Sequence, residues 1–133
     1  MEVRVLLDTN AYTALLRGHS DVAGLVRRAN EVLISPVVVG ELLFGFRNGT
    51  RYEANRRQLD AFLDSPFVRL LDITLITAER FGRVAANLRK KGRPIPSNDV
   101  WIAAQAMETG ADLVSFDKHF GEIDGLAWVQ PQA

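Results

Sequence analysis

Short apolar runs alternate with longer amphipathic stretches along this chain, and their order predicts strands and helices in turn. Val3 to Leu7 is a run of strand length, closed by Asp8-Thr9-Asn10, residue types that favour turns and helix N-caps. Ala11 to Arg17 and Asp21 to Asn30 have helical composition and are split by Gly18-His19-Ser20, with Ser20 or Asp21 as the cap of the second helix. Glu31 to Ser35 predicts a second strand. Pro36 suits the first turn of the next helix, where its missing N–H does no harm. That helix, Pro36 to Arg47, is apolar on nearly every side and stops at Asn48-Gly49, so it is expected to be central. Arg51 to Asp64 is polar, with Tyr52, Leu59, Phe62 and Leu63 as its inner stripe, and is expected to be peripheral.

Phe67 to Ile73 predicts a third strand and Thr77 to Lys91 a long helix ended by Gly92, followed by the extended connector Arg93-Pro94-Ile95-Pro96. Ser97 is placed to cap a last helix that runs to Gly110, a C-cap glycine, before a fourth strand at Asp112 to Ser115 and a short fifth at Ala127 to Val129. Short apolar strands alternating with helices indicate parallel βαβ units with helices on both faces of a sheet, in one domain over residues 1–133. Ligands of such sheets bind beyond the carboxyl ends of the strands, which puts Asp8 and Asp117 at the functional edge.

Composition narrows the chemistry. The chain has no cysteine, which excludes disulfides and Cys-ligated metal sites and suits a reducing cytoplasm. Neither a leader peptide nor a membrane span is evident, since the most apolar segment, Val37 to Phe46, carries Glu41 in its middle. With 16 basic and 16 acidic residues the net charge is zero, so attraction to nucleic acid cannot be argued from the balance. Basic residues do cluster, most densely in Arg89-Lys90-Lys91-Gly92-Arg93, which reads either as a solvated helix end or as a contact for RNA phosphates.

The acids carry more information. Asp8, after Val5-Leu6-Leu7, can cap the first helix or bind a hard cation through oxygen. Glu41 lies between Val37-Val38-Val39-Gly40 and Leu42-Leu43-Phe44, which leave it almost no polar face; such a carboxylate is paired with an arginine, neutralised, or held at a metal. Asp99 in Ser97-Asn98-Asp99 complements a helix N-terminus and would follow that helix into the crevice. Asp117 sits just past the fourth strand, in a turn. Ser115 lacks the partners of a nucleophile and is expected to orient a neighbouring acid, and His119 is given no role. Together the acids could share a pocket only if positive charge joined them, which a divalent ion supplies.

The motifs Leu6-Leu7-Asp8-Thr9-Asn10, Val39-Gly40-Glu41-Leu42, Asn98-Asp99-Val100-Trp101-Ile102-Ala103-Ala104 and Ser115-Phe116-Asp117-Lys118-His119-Phe120, in that order, resemble those of PIN-domain nucleases, in particular the VapC toxins of toxin-antitoxin pairs. The resemblance spans nearly the whole chain. It implies an α/β fold, a three-layer α/β/α sandwich around a mainly parallel sheet of four to five strands. It also implies Mg2+ (or Mn2+) held by Asp8, Glu41, Asp99 and Asp117, with Asn10 and Ser115 as supporting polar residues. The family more often has Thr where this chain has Ser115; the hydroxyl is kept. The implied activity is endonucleolytic cleavage of structured RNA, tRNA or rRNA, leaving 5′-phosphate and 3′-hydroxyl ends. The implied partners are a second copy of the chain and a VapB-type antitoxin, with DNA reached only through that antitoxin.

Other classes fit less well. A receiver-type signalling module would want paired acids directly after the first strand, and a haloacid-dehalogenase-like phosphatase would want a second Asp two positions after Asp8, where this chain has Asn10. A PIN fold acting only through protein contacts, or a solitary RNA-processing nuclease without an antitoxin, would keep the fold and change the role.

Overall fold

Val5 and Leu7 project to one side of the first strand and Leu6 to the other, and each side seeds its own hydrophobic cluster. The computed structural model describes residues 2–133, with β1 at Arg4–Leu7, α1 at Thr9–Leu16, α2 at Ser20–Arg28, β2 at Glu31–Ile34, α3 at Pro36–Arg47 and α4 at Tyr52–Leu63. The chain continues through β3 at Val68–Leu70, α5 at Leu75–Lys90, α6 at Ser97–Thr109, β4 at Asp112–Val114, a 3-10 turn at Lys118–Glu122 and β5 at Trp128–Val129. The strands form one sheet in the order β3-β2-β1-β4-β5, and every pairing is parallel.

The register places Leu6 beside Leu33 of β2 and beside Leu113 of β4. All three leucines are fully buried, and α3, α5 and α6 cover them through Val38, Leu42, Val84, Leu88, Ile102, Ala103 and Ala106. Burying each such leucine is worth about 1.5–3 kcal/mol. On the opposite face Val5, Leu7, Val32 and Val114 pack with Ala11 and Leu15 of α1 and with Leu25 and Val26 of α2. The result is the three-layer α/β/α sandwich, with five strands.

From β1 the chain moves outward through β2 and β3, then returns to the other side of β1 for β4 and β5. The strand order therefore reverses between β1 and β4. That is where the crevice beyond the strand ends opens, and Asp8 N still donates to Val114 O across it at 3.3 Å.

Several local expectations are corrected. Helix α3 has the predicted bounds but is not central: Val38 and Leu42 are buried, whereas Phe44 is 70% exposed. As an outer-layer helix it can fully bury only one face against so narrow a sheet; Val37, Val39, Leu43 and Phe46 pack against the core while only partly buried, and Phe44 stays on the surface. The cap of α2 is His19, whose Nδ1 accepts from Val22 N at 3.3 Å, and not Ser20 or Asp21. Helix α6 begins at Ser97 as its first helical residue after Pro96, so Ser97 does not cap it. Strand β3 is shorter than Phe67 to Ile73 because its one neighbour, β2, ends at Ile34; Leu71 N takes the last bond, to Ile34 O. Gly110 does adopt the left-handed conformation of a C-cap glycine, at φ 69°.

Candidate active site

Asp8 ends β1 and caps α1: its backbone is extended (φ −79°, ψ 179°) and its Oδ1 accepts from Ala11 N at 2.9 Å. The capping reading of this residue is therefore correct, and it does not exhaust the residue. Asp8 is only 7% exposed and lines a cleft of about 230 Å³ together with Thr9, Asn10, Glu41, Asp99, Ile102 and Asp117. Burial pushes its carboxyl above the ordinary aspartate range; the nearby Ser115 hydroxyl and the Ala11 amide pull it down, while Asp99 and Asp117 push it up.

Glu41 reaches this cleft from the middle of α3. Its Oε1 accepts from Thr9 Oγ1 at 2.7 Å and its Oε2 from Asn98 Nδ2 at 3.4 Å. The carboxylate is thus held by neutral donors from the start of α1 and the start of α6, and neither partner is an arginine. The apolar stretch around Glu41 serves the helix's contact with the core, while Glu41 itself points across the crevice.

Asp99 lies in the first turn of α6, where the helix dipole favours an anion. Its carboxyl is nevertheless pushed up, chiefly by burial and further by Asp117 and Glu41, against the opposing pull of His119. Asp117 follows β4 and caps the 3-10 turn, while its own N–H donates to Ser115 Oγ at 3.0 Å. Ser115 is fully buried, and Trp128 Nε1 donates to its carbonyl at 3.0 Å, so β5 helps hold the turn that presents Asp117. Asn10 stands exposed at the rim. All four acids and Asn10 are thereby brought to one cleft, with Ser115 directly behind it.

Sequence reasoning missed three residues here. Thr9 and Asn98 hold Glu41, and both flank acids already singled out. His119, to which no role was given, sits between two of the acids. Its Nε2 lies 2.8 Å from Asp99 Oδ2 and its Nδ1 3.1 Å from Asp117 Oδ1. The Asp99 contact is close but poorly aligned with the ring's N–H, so it is not a well-formed hydrogen bond. Ligand atoms of Asp99, Asp117 and His119 all lie within 4.8 Å of one another, near enough to share an ion. The available signal was its position two residues after Asp117, on a turn that folds back over the site.

The basic run at the end of α5 is partly committed elsewhere. Lys91 Nζ donates to Glu122 O at 2.6 Å and pairs with Asp124 at 3.0 Å, tying α5 to the end of the 3-10 turn, while Arg89, Lys90 and Arg93 are exposed. No second acid accompanies Asp8 at the end of β1, where Thr9 instead serves Glu41, so the geometry lacks the acid pair of a receiver or a dehalogenase-like phosphatase.

Known proteins share both the fold and its span. A family model describing the PIN domain matches residues 5–126, and the chain belongs to the PIN-domain family. It is 30% identical over 126 residues to the ribonuclease VapC2 of Rickettsia felis, covering 91% of this chain and 92% of that protein. The fold resembles the Rickettsia felis VapBC2 structure bound to a DNA fragment from their promoter, with TM-score 0.85 and 25% identity over 98% of this chain and 100% of that one. It also resembles VapBC-1 from nontypeable Haemophilus influenzae, with TM-score 0.85 and 26% identity over 96% of this chain and 98% of that one.

Proposed function

We propose that this chain is the toxin of a type II toxin-antitoxin pair, an endoribonuclease that hydrolyses phosphodiester bonds in structured RNA such as tRNA or rRNA. The observation that carries this reading is the convergence of Asp8, Glu41, Asp99 and Asp117 on one small cleft, where Asp8 and Asp99 are pushed up by burial and by each other's neighbours. Its kinship with a VapC ribonuclease supports the same activity.

The donor set fits a hard divalent cation, Mg2+ with Mn2+ as substitute: the four acids offer oxygen ligands, their charges repel one another, and the cleft has room for retained waters. Asp8 and Asp99 would hold the ion, with Glu41 and Asp117 completing the acidic shell directly or through water. When bound, the cation acidifies a water and offsets the charge that develops on the phosphate during in-line displacement. The water oxygen bonds to phosphorus, the bond from phosphorus to O3′ breaks, and O3′ takes up a proton, leaving 5′-phosphate and 3′-hydroxyl ends. The chain's own residues prepare this: Ala11 N fixes Asp8, Thr9 and Asn98 aim Glu41, and Ser115 holds the turn of Asp117.

The surface supports protein partners. Leu70, Ile73, Leu75 and Ile76, at the end of β3 and the start of α5, are exposed, as is Phe44 on α3. Such apolar groups are suited to a homodimer and to a VapB-type antitoxin that brings the complex to DNA. Among the described residues no helix is long and apolar enough to cross a membrane. The test is incubation of the purified chain with labelled tRNA and rRNA fragments in Mg2+ or Mn2+. Metal-dependent cuts that vanish in Asp8→Asn and Asp99→Asn support the reading, and intact RNA under every condition contradicts it.

A further inference from the structure

A second cavity opens beside the catalytic cleft. It has a volume of about 550 Å³, more than twice the cleft's 230 Å³, and the two share Asn10 on their common wall. Phe116, His19, Arg17 and Thr13 also line it, the Thr13 hydroxyl being engaged with Thr9 O at 3.1 Å.

Phe116 lies between Ser115 and Asp117, so the turn that delivers an acid to the cleft also delivers an aromatic ring to the cavity. The turn is held at both ends, by Ser115 Oγ accepting from Asp117 N and by Gln130 Nε2 donating to Phe116 O at 3.4 Å. His19 meets Phe116 edge to face, with ring centroids 5.3 Å apart and planes at 73°. Because its Nδ1 already caps α2, the His19 ring is fixed in place, and Nε2 is its remaining polar atom. Arg17 is the C-cap of α1, is exposed, and forms no ion pair among the described residues. Gly18 follows it at φ 81°, and a Cβ there would meet nothing within 4 Å, so the cavity mouth is open at this turn.

We infer that this cavity is a subsite for one unstacked nucleobase of the RNA strand, next to the phosphodiester held at Asp8 and Asp99. The inference rests on the endoribonuclease reading. A fixed aromatic ring is what a splayed base stacks on, and the site has it within one residue of a cleft acid. The Asn10 amide offers both a donor and an acceptor to a base edge at the boundary between the two chambers. The Arg17 guanidinium meets the adjoining phosphate, replacing charge that the acidic cleft cannot supply. Stacking on Phe116 tolerates any base, so base preference falls to Asn10 and His19.

The test uses a labelled RNA hairpin that the wild-type chain cuts, with 2-aminopurine at the loop nucleotide beside the cut. In EDTA, where cleavage stops, wild-type protein should quench the 2-aminopurine and Phe116→Ala should not; with metal restored, Phe116→Ala should raise KM about tenfold, the scale of one lost base stack. Phe116→Trp should recover both signals, and Phe116→Leu, which keeps apolar packing, should not. Arg17→Gln should lessen the salt dependence of binding by a slope of about 0.7, the value for one phosphate of a single strand. Equal quenching and KM in wild type, Phe116→Ala and Phe116→Leu would overturn the subsite while leaving the nuclease standing. A wild-type chain that cuts no RNA would overturn both.

Discussion

His119 Nε2 stands 2.8 Å from Asp99 Oδ2, and the other nitrogen of the same ring stands 3.1 Å from Asp117 Oδ1. The ring thereby spans two carboxylates of the cleft, in close contact with one oxygen of each. The ring occupies the place beside Asp99 and Asp117 that a divalent cation would also take. For Mg2+, which favours oxygen, the two compete for the same acids.

The first prediction follows from that competition. His119→Gln should bind Mg2+ a few-fold more tightly than the wild type when measured by calorimetry, because the ring no longer stands against Asp99 and Asp117. A several-fold loss of Mg2+ affinity would instead make His119 a ligand.

The second concerns the cost of gathering the acids. Asp8 and Asp99 hold their protons to higher pH when folded than when unfolded. The folded state therefore binds more protons in that window. The contribution to stability is present below the ordinary aspartate range and is lost as pH rises through the raised folded values. Without metal, melting temperature should fall from this cause as pH rises from the ordinary aspartate range through the raised folded values. Asp8→Asn keeps an N-cap side chain for Ala11 while removing the charge, so it should flatten this fall. At neutral pH the variant should gain on the order of 1 kcal/mol, as substitutions in function-strained sites commonly do. Its melting temperature should rise by about 2–8 °C, read by calorimetry at each pH. A variant that melts lower than wild type at every pH would contradict the account.

Much of this arrangement was legible in the chain, and what was not has definite physical causes. Strand exits and helix starts are marked by local chemistry, so Asp8, Asp99 and Asp117 could be placed at one edge from their neighbours alone. Glu41 stood out because its flanks are apolar. Its partners Thr9 and Asn98 lie 32 and 57 positions away and meet it only through the packing of α1 and α6 beside α3. His119 was passed over for the same reason: one turn of 3-10 helix, invisible to periodicity, folds its ring onto Asp99, and only the tertiary fold brings them together. The surface position of α3 was misjudged because an apolar helix can be covered by its own sheet or by another chain, and its pattern is the same in both cases.

The third prediction tests the support of Glu41. Thr9→Val removes the 2.7 Å donor to Oε1 while keeping the side chain's shape, and should lower the cleavage rate about ten- to a hundredfold, the scale of small misplacements in an active site. Thr9→Ser should retain most of the rate. Thermal melting should stay within about 1 kcal/mol of wild type, since the bond is only partly buried. Equal rates in Thr9→Val and wild type would release Thr9 from the mechanism.

A fourth prediction concerns the exposed apolar surface at the start of α5. Leu75→Glu and Ile76→Lys place charges where both side chains face solvent in the isolated chain, so neither should unfold it. If that surface joins two copies, light scattering should show a wild-type dimer converted to monomer by either change. A wild-type monomer at micromolar concentration would contradict the homodimer.

The central claim is that Asp8, Glu41, Asp99 and Asp117 form one site whose repulsion a divalent cation relieves. Calorimetric titration of Mn2+ and Mg2+ into the wild-type chain, and in parallel into Asp8→Asn and Asp99→Asn, tests it most directly. The account predicts saturable heat with wild type and at least a tenfold weaker affinity in each folded variant, the scale of a lost charged ligand. Wild-type protein that takes up neither ion, or variants that bind as tightly as wild type, would contradict it.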